Sequence, residues 1–154
     1  MKIEYLADNI HLADDVAKKV YNEFVKGKKH DVDYDQVLQT AKNTHKTKLP
    51  IRLVALIDGK CVGTVSIVEN DLKCRDYTPW LAALYVDEAH RGQKIGEKLI
   101  DCVKSVTADL GYAELYLRTE FASDYYRRLG WQFIEKCDDN YNLKPDVFKF
   151  LLND

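Results

Sequence analysis

Apolar positions along the first fifty residues recur with two different periods, which predicts a short strand followed by two helices. Lys2–Leu6 alternates between polar and apolar residues, as a half-buried strand does. In Ile10–Phe24, apolar side chains recur at spacings of three and four, and Gly27 marks the end of this predicted helix. Asp33 or Asp35 can cap a second, shorter helix.

β-Branched residues fill two neighbouring segments in the middle of the chain, Ile51–Ile57 and Cys61–Val68. The dipeptide Asp58-Gly59 between them is typical of a tight hairpin, so we expect the two segments to be antiparallel strands. Trp80–Val86 is a nearly continuous apolar run, which is typical of a strand buried on both faces.

The last third of the chain continues with alternating helices and strands. Ile95–Leu110 has an apolar helical face, and Gly111 stands where a helix C-terminus favours glycine. Glu114–Arg118 follows as a strand, so a right-handed crossover with parallel strands is expected. The remaining predicted elements are a short helix and two strands: Ala122–Leu129, Trp131–Cys137 and Val147–Leu152. This order predicts a mixed-sheet α/β fold, and no linker or repeat divides residues 1–154 into separate domains.

Composition narrows the classes of function. The 154 residues include 23 Lys and Arg against 25 Asp and Glu, a net charge of −2, which does not favour a nucleic acid partner. No apolar run approaches the roughly 20 residues of a membrane span, so we expect no membrane partner. None of the four histidines has a recognisable partner, and we expect them at the surface. The cysteines are far apart, which predicts free thiols, no metal and a reducing, cytoplasmic setting: Cys61, Cys74, Cys102 and Cys137.

The loop that follows the apolar run Trp80–Val86 has the composition of an anion site. It carries two cations, Arg91 and Lys94, and opens the long helix, whose first N–H groups and positive dipole end suit a phosphate. A P-loop would need glycine at position 97, where Glu97 stands, and a dinucleotide fingerprint counted from Gly92 would need glycine in place of Lys94. The segment Arg91-Gly92-Gln93-Lys94-Ile95-Gly96 fits neither pattern.

Two segments together resemble the GCN5-related N-acetyltransferase (GNAT) superfamily. Residues 91–96 fit the first and last positions of its loop pattern [RQ]-x-x-G-x-[GA], with Lys94 in place of the middle glycine. Residues 122–131, Ala-Ser-Asp-Tyr-Tyr-Arg-Arg-Leu-Gly-Trp, resemble its A-x-x-F-Y-x-x-x-G-F segment. Thr78–Val86 is also similar to a bacterial subset of the superfamily that is poorly characterised, and the element order matches over nearly the whole chain.

The resemblance implies one acetyltransferase domain over residues 1–154, with a mixed, mostly antiparallel sheet of six or seven strands and about four helices. Strands 4 and 5 would be parallel and splayed, with acetyl-CoA between them as cosubstrate and no metal. A bulge near the end of strand 4 would present the backbone of Leu84, Tyr85 and Val86 to pantetheine, with one N–H on the thioester oxygen. The loop over residues 91–96 would hold the pyrophosphate, and Thr119 stands where many members have a pantetheine-contacting asparagine.

The same resemblance implies roles in catalysis. Tyr126 matches the tyrosine that meets the departing thiolate, and Tyr125 is expected to be the packing member of the pair. A free phenol has a pKa about 1.5 above that of a thiol, so a strengthening hydrogen bond describes Tyr126 better than full proton transfer. Glu69, after the third strand, is the first candidate for the general base, and Asp71 is the second.

The implied reaction is direct transfer of acetyl from acetyl-CoA to a primary amine of a small molecule or protein. We expect a ternary complex without a covalent enzyme intermediate, because no cysteine lies in the two motif segments. The alternative is a non-catalytic acyl-CoA sensor on the same fold. Members of the superfamily occur as monomers and as dimers, and both states stay open for this chain.

Overall fold

The computed structural model describes residues 1–28, 32–139 and 143–152. Within these ranges the chain forms seven strands and four α-helices. In chain order they are β1 (Lys2–Tyr5), α1 (Ala13–Val20), α2 (Tyr34–Lys42), β2 (Ile51–Ile57), β3 (Lys60–Val68), β4 (Trp80–Val86), α3 (Ile95–Asp109), β5 (Glu114–Thr119), α4 (Ser123–Arg128), β6 (Gln132–Lys136) and β7 (Asp146–Leu151).

The seven strands form one sheet in the order β1-β2-β3-β4-β5-β7-β6. Every neighbouring pair is antiparallel except β4 and β5, which are parallel. The mixed, mostly antiparallel sheet with a parallel fourth and fifth strand and four helices is therefore confirmed. Among the helices in the described ranges, none is both long and apolar enough to cross a membrane.

Two apolar layers cover the sheet, as a two-faced sheet requires. On one face α3 and α4 enclose the main core, in which Leu99, Leu115 and Phe148 are fully buried. On the other face α1 and α2 cover β2 and β3, and the segment between β3 and β4 covers β4 and β5 with Leu72 and Tyr77. The second face therefore has two separate apolar clusters, and the space between them borders the centre of the sheet.

The helix ends follow local chemistry. Asp33 caps α2 in a capping box: its carboxylate accepts the Gln36 N–H at 2.9 Å, and the Gln36 side chain accepts the Asp33 N–H at 2.8 Å. The predicted first helix, Ile10–Phe24, is shorter than expected, because it begins as a 3-10 turn and continues beyond α1 as a π-helical turn, Tyr21–Val25. That turn changes the direction of the side chains at its end.

Candidate active site

β4 and β5 separate soon after they begin. Trp80 and Tyr116 are the residues that pair between these two fully described strands. Beyond them β4 carries a bulge, with a register shift against β3 and a positive φ of 52° at Ala83. The splay and the bulge agree with the fold that the resemblance implies, and they turn the backbone at the end of β4 away from the regular ladder.

Gly63 of β3 allows this irregular backbone to pack. A Cβ at Gly63 would lie 3.0 Å from the Tyr85 carbonyl oxygen and 3.3 Å from Leu99 Cδ1. Such a contact is tighter than nearly all real Cβ contacts, so any larger residue would require the bulged strand to move outward by a few tenths of an ångström. The glycine thus sets the position of the strand segment that lines the site.

A groove of about 570 Å³ runs along the end of β4 and the start of α3. Eight of the residues predicted to bind the cofactor line it: Leu84, Tyr85, Val86, Arg91, Gly92, Lys94, Ile95 and Gly96. Gln93 is exposed and lies outside the lining. Thr119 is buried, and its Oγ1 accepts the Ala122 N–H at 3.0 Å, so it fixes the chain before α4 rather than lining the groove.

The loop before α3 has the geometry of an anion site. Lys94 has a left-handed conformation, with φ of 63°, immediately before α3, and Gly92 has φ of 81°. A non-glycine residue in that region costs about 1–2 kcal/mol, so this helix start carries local strain. The Arg91 Nε donates to the Val86 carbonyl at 3.0 Å, which holds its guanidinium 5.9 Å from the Tyr85 ring. The free N–H groups of the first helical turn and two cations therefore face one groove.

The two tyrosines of α4 differ in burial. Tyr126 is the buried member of the pair, 8% exposed, and its ring packs against Trp131 and Phe148 at centroid distances of 6.0 and 6.4 Å. Tyr125 is half-buried: it packs against the main core, as expected, and it also lines the groove, whereas Tyr126 lies outside the lining. Burial raises the pKa of Tyr126 to about 12.

The two candidate bases differ in their surroundings. Glu69 is exposed just after β3. Burial raises the pKa of Asp71 to about 7, although the charge of Arg118 acts in the opposite direction. That guanidinium is already engaged, because its Nη2 donates to Glu120 Oε1 and to Asp139 Oδ2, both at 2.8 Å. Three carboxyl groups therefore lie near Arg118 at the end of β5, and burial raises the pKa of one of them, Asp71, to about 7.

Five residues that line the groove were not predicted as cofactor contacts: Glu23, His90, Glu97, Ala122 and Tyr125. Glu23 reaches the groove from the π-helical turn after α1. His90, expected at the surface, lines the groove, and its Nδ1 is buried without a hydrogen-bond partner among the described residues. A one-residue change of helical pitch has no signature in a hydrophobic period, so the sequence offered no signal for Glu23. The Lys19–Asp87 ion pair at 3.0 Å then ties α1 to the loop of the groove.

The splayed parallel strand pair beside a loop with the geometry of an anion site is the arrangement that the resemblance to the GNAT superfamily implies. The family model described as an acetyltransferase (GNAT) domain matches residues 51–133, which is more than half of the chain. The chain therefore belongs to the GNAT acetyltransferase family. Enzymes of this family are acyltransferases, and the matched range contains β4, the groove loop and α4.

Solved structures agree with this fold. The chain is similar to an aminoglycoside 6'-N-acetyltransferase complexed with coenzyme A, with 15% identity, a TM-score of 0.78 and coverage of 100% of this chain and 98% of that one. yncA from Salmonella typhimurium, solved with acetyl-CoA, has 19% identity, a TM-score of 0.70 and coverage of 100% and 95%. An aminoglycoside 6'-N-acetyltransferase from Enterococcus faecium has 15% identity, a TM-score of 0.75 and coverage of 100% and 98%. No curated protein matches the chain.

Proposed function

We propose that this protein transfers the acetyl group of acetyl-CoA to a primary amine, by direct attack of the amine on the thioester in a ternary complex. The observation that carries the proposal is the groove that begins at the bulged end of β4 and continues into the anion-binding start of α3. A small-molecule amine is the preferred acceptor class, and a protein amine is the second. A cytoplasmic monomer or homodimer suits this role.

The residues that line the groove fit the chemical parts of acetyl-CoA in order. The backbone of Leu84–Val86 would hydrogen-bond the pantetheine arm, and the N–H of Tyr85 or Val86 would polarise the thioester oxygen. A single donor of this oxyanion type is worth about 3 kcal/mol where it has been measured. The N–H groups of residues 91–96, together with Arg91 and Lys94, would hold the pyrophosphate.

Tyr126 is the proposed hydrogen-bond donor to the departing thiolate. As the amine nitrogen bonds to the acetyl carbon, the carbon–sulfur bond breaks and the electron pair stays on sulfur. A tyrosine pKa of about 12 lies roughly 3.5 above that of a thiol, so complete proton transfer is uphill by about 5 kcal/mol. A hydrogen bond that strengthens as sulfur gains charge needs no such transfer.

The amine needs a proton acceptor. An alkyl amine is only about 0.1% neutral at pH 7.4, which raises the barrier by about 4 kcal/mol unless a base removes the proton. Glu69 is the first sequence candidate for this base, acting through water. Asp71 is the second, and its raised pKa of about 7 supports it because a base works best near the ambient pH.

One experiment separates the enzyme from a non-catalytic acyl-CoA sensor. Purified protein is mixed with acetyl-CoA and a broad amine panel, and free CoA release is measured for wild type, Tyr126→Phe and the control Tyr112→Phe, which changes a half-buried tyrosine outside the groove lining. We expect a large loss of kcat only in Tyr126→Phe, with unchanged acetyl-CoA affinity. Acetyl-CoA at 100 times its Kd should also stabilise the fold by about 2.7 kcal/mol. Stabilisation without any turnover would support the sensor, and absence of stabilisation would contradict both functions.

A further inference from the structure

Arg52 lies in the centre of the sheet with its side chain on the α1–α2 face. Its neighbours in β2, Ile51 and Leu53, belong to the main core on the α3 face, so alternation directs Arg52 to the opposite face. Arg52 as a residue is only 8% exposed. A charged side chain at this depth normally has a charged partner.

Arg52 has no such partner in the described part of the chain. Its side chain makes one long hydrogen bond, from Nη1 to Thr64 Oγ1 at 3.4 Å, and the Thr64 hydroxyl itself donates to the Leu53 carbonyl at 2.8 Å. By contrast, Arg75 and Arg118 each donate to a carboxylate at 2.8 Å. Burial lowers the pKa of Arg52 to about 10, because no nearby carboxylate offsets the loss of hydration of the guanidinium.

The residues next to Arg52 in the sheet are small and leave part of its guanidinium accessible. Ser66 lies directly opposite Arg52, and Ala82 lies opposite Ser66, so two small side chains separate Arg52 from the split between β4 and β5. The Ser66 hydroxyl donates to the Ala82 carbonyl at 3.1 Å and makes no hydrogen bond with Arg52 within the described residues. Arg52 is 8% exposed, and within the described residues neither Nε nor Nη2 is a fully buried atom without a partner, so a small part of the guanidinium surface stays accessible.

The guanidinium is also close to the groove. Thr64, which Nη1 contacts, lies directly opposite Tyr85 in the ladder between β3 and β4. Antiparallel neighbours of this kind have Cα atoms about 5 Å apart, so the guanidinium lies within roughly 10 Å of the Tyr85 backbone. Tyr85 lines the groove at the bulged end of β4, where the proposed acetyl transfer takes place.

We infer that Arg52 binds a carboxylate of the acceptor, and hence that the acceptor is an amine whose molecule also carries a carboxylate. This inference rests on the proposed function and names the substrate class of the same site. A carboxylate of the acceptor would supply the negative charge that Arg52 lacks in the fold. Its two oxygens would accept the two parallel N–H groups that a planar guanidinium offers. A polycationic acceptor would instead bring positive charge towards an uncompensated cation.

The test compares matched acceptors. Glycine, 4-aminobutyrate and 6-aminohexanoate are each paired with the corresponding amide, and kcat/KM is measured for wild type, Arg52→Gln and Arg52→Lys. Lys60→Gln, which removes an exposed cation at the start of β3, is the control. We expect wild type to prefer at least one acid over its amide by about tenfold or more, as a charge-assisted hydrogen bond predicts. Arg52→Gln should abolish the preference, Arg52→Lys should keep part of it, and the KM for acetyl-CoA should not change.

Two further readouts keep the inference separate from the proposed function. Calorimetric binding of the same acids and amides, with CoA present, tests Arg52 even if no amine is acetylated. Acetylation of amide and acid with equal efficiency would overturn the inference and leave the acetyltransferase function intact. Thermal unfolding tests a purely structural role: we expect Arg52→Gln to be as stable as wild type or more so, because a buried unpaired charge is removed. A lower Tm with unchanged selectivity would assign Arg52 to the fold alone.

Discussion

The carboxyl group of Asp71 should make the stability of the protein depend on pH in an unusual direction. Its pKa is about 7 in the folded protein, chiefly through burial, against an ordinary value of 3.8. At 1.36 kcal/mol for each pKa unit, the difference corresponds to about 4 kcal/mol. Asp71 keeps some exposure to solvent, so we expect about 2–4 kcal/mol in practice.

The sign follows from proton linkage. Between pH 3.8 and about 7 the folded protein keeps a proton on Asp71 that the unfolded chain has lost, so this contribution to stability falls as the pH rises. It is fully present below pH 3.8 and lost as the pH passes through 7. Asp71→Asn replaces the carboxyl with a permanently neutral group, and its advantage over wild type should therefore grow from pH 4 to pH 7 and then stay constant.

The assay is urea unfolding of wild type and Asp71→Asn at intervals from pH 4 to pH 9, with Asp76→Asn as the matched control. Asp76 is an exposed carboxylate of the same segment, so its removal should leave the pH dependence unchanged. Parallel curves for wild type and Asp71→Asn would refute the reasoning, since they would mean that Asp71 stays hydrated. If Asp71 is also the base, the same variant should lose the inflection near pH 7 in kcat/KM.

Three other variants test separate parts of the fold. Lys94→Gly should keep the stability of the fold or raise it by up to about 1 kcal/mol, and it should increase the KM for acetyl-CoA. Lys94→Val should destabilise the fold by about 1–2 kcal/mol, because a β-branched residue would have to adopt φ of 63°. Equal Tm values for the two variants would contradict backbone strain at this position. Glu135→Gln should lower the free energy of unfolding by about 1 kcal/mol at pH 7, because Arg75 and Tyr77 both donate to the Glu135 carboxylate. This difference from wild type should fade as the pH falls from 4.5 towards 2, where the folded protein takes up the proton. A difference that does not change with pH would argue against the ion pair. Asp33→Ala should lower stability by about 1 kcal/mol through loss of the capping box, and an unchanged urea midpoint would exclude that role.

Local signals in the sequence predicted most of the elements, because the chemistry behind them is local. The Asp58-Gly59 turn has φ values of 51° and 77°, which these residues reach more easily than others. The apolar face of α3 and the glycine after it gave that helix its limits to within two residues. The order of strands and the parallel pair followed from the crossover around α3, together with the family resemblance.

Features that depend on tertiary packing could not be predicted in the same way. The bulge at Ala83 lies within a run of apolar residues that shows no alternation for an extra residue to interrupt. The sequence did not show which tyrosine of α4 is buried, because that depends on the neighbouring β7. The environment of Asp71 likewise depends on Arg118 and Glu120, which are almost fifty residues away along the chain.

The ladder between the described strands β4 and β5 is limited to the Trp80–Tyr116 pair, so we expect the sheet to open as two units of unequal size. β1–β4 and α1–α3 come from the chain before Gly111, and β5–β7 and α4 come from the chain after it. Native-state hydrogen exchange should therefore show the amides of β5 and β7 opening at a free energy different from those of β2 and β3. A ligand in the groove touches both units, through Val86 on one side and Ala122 on the other, and its binding should bring the two opening energies together.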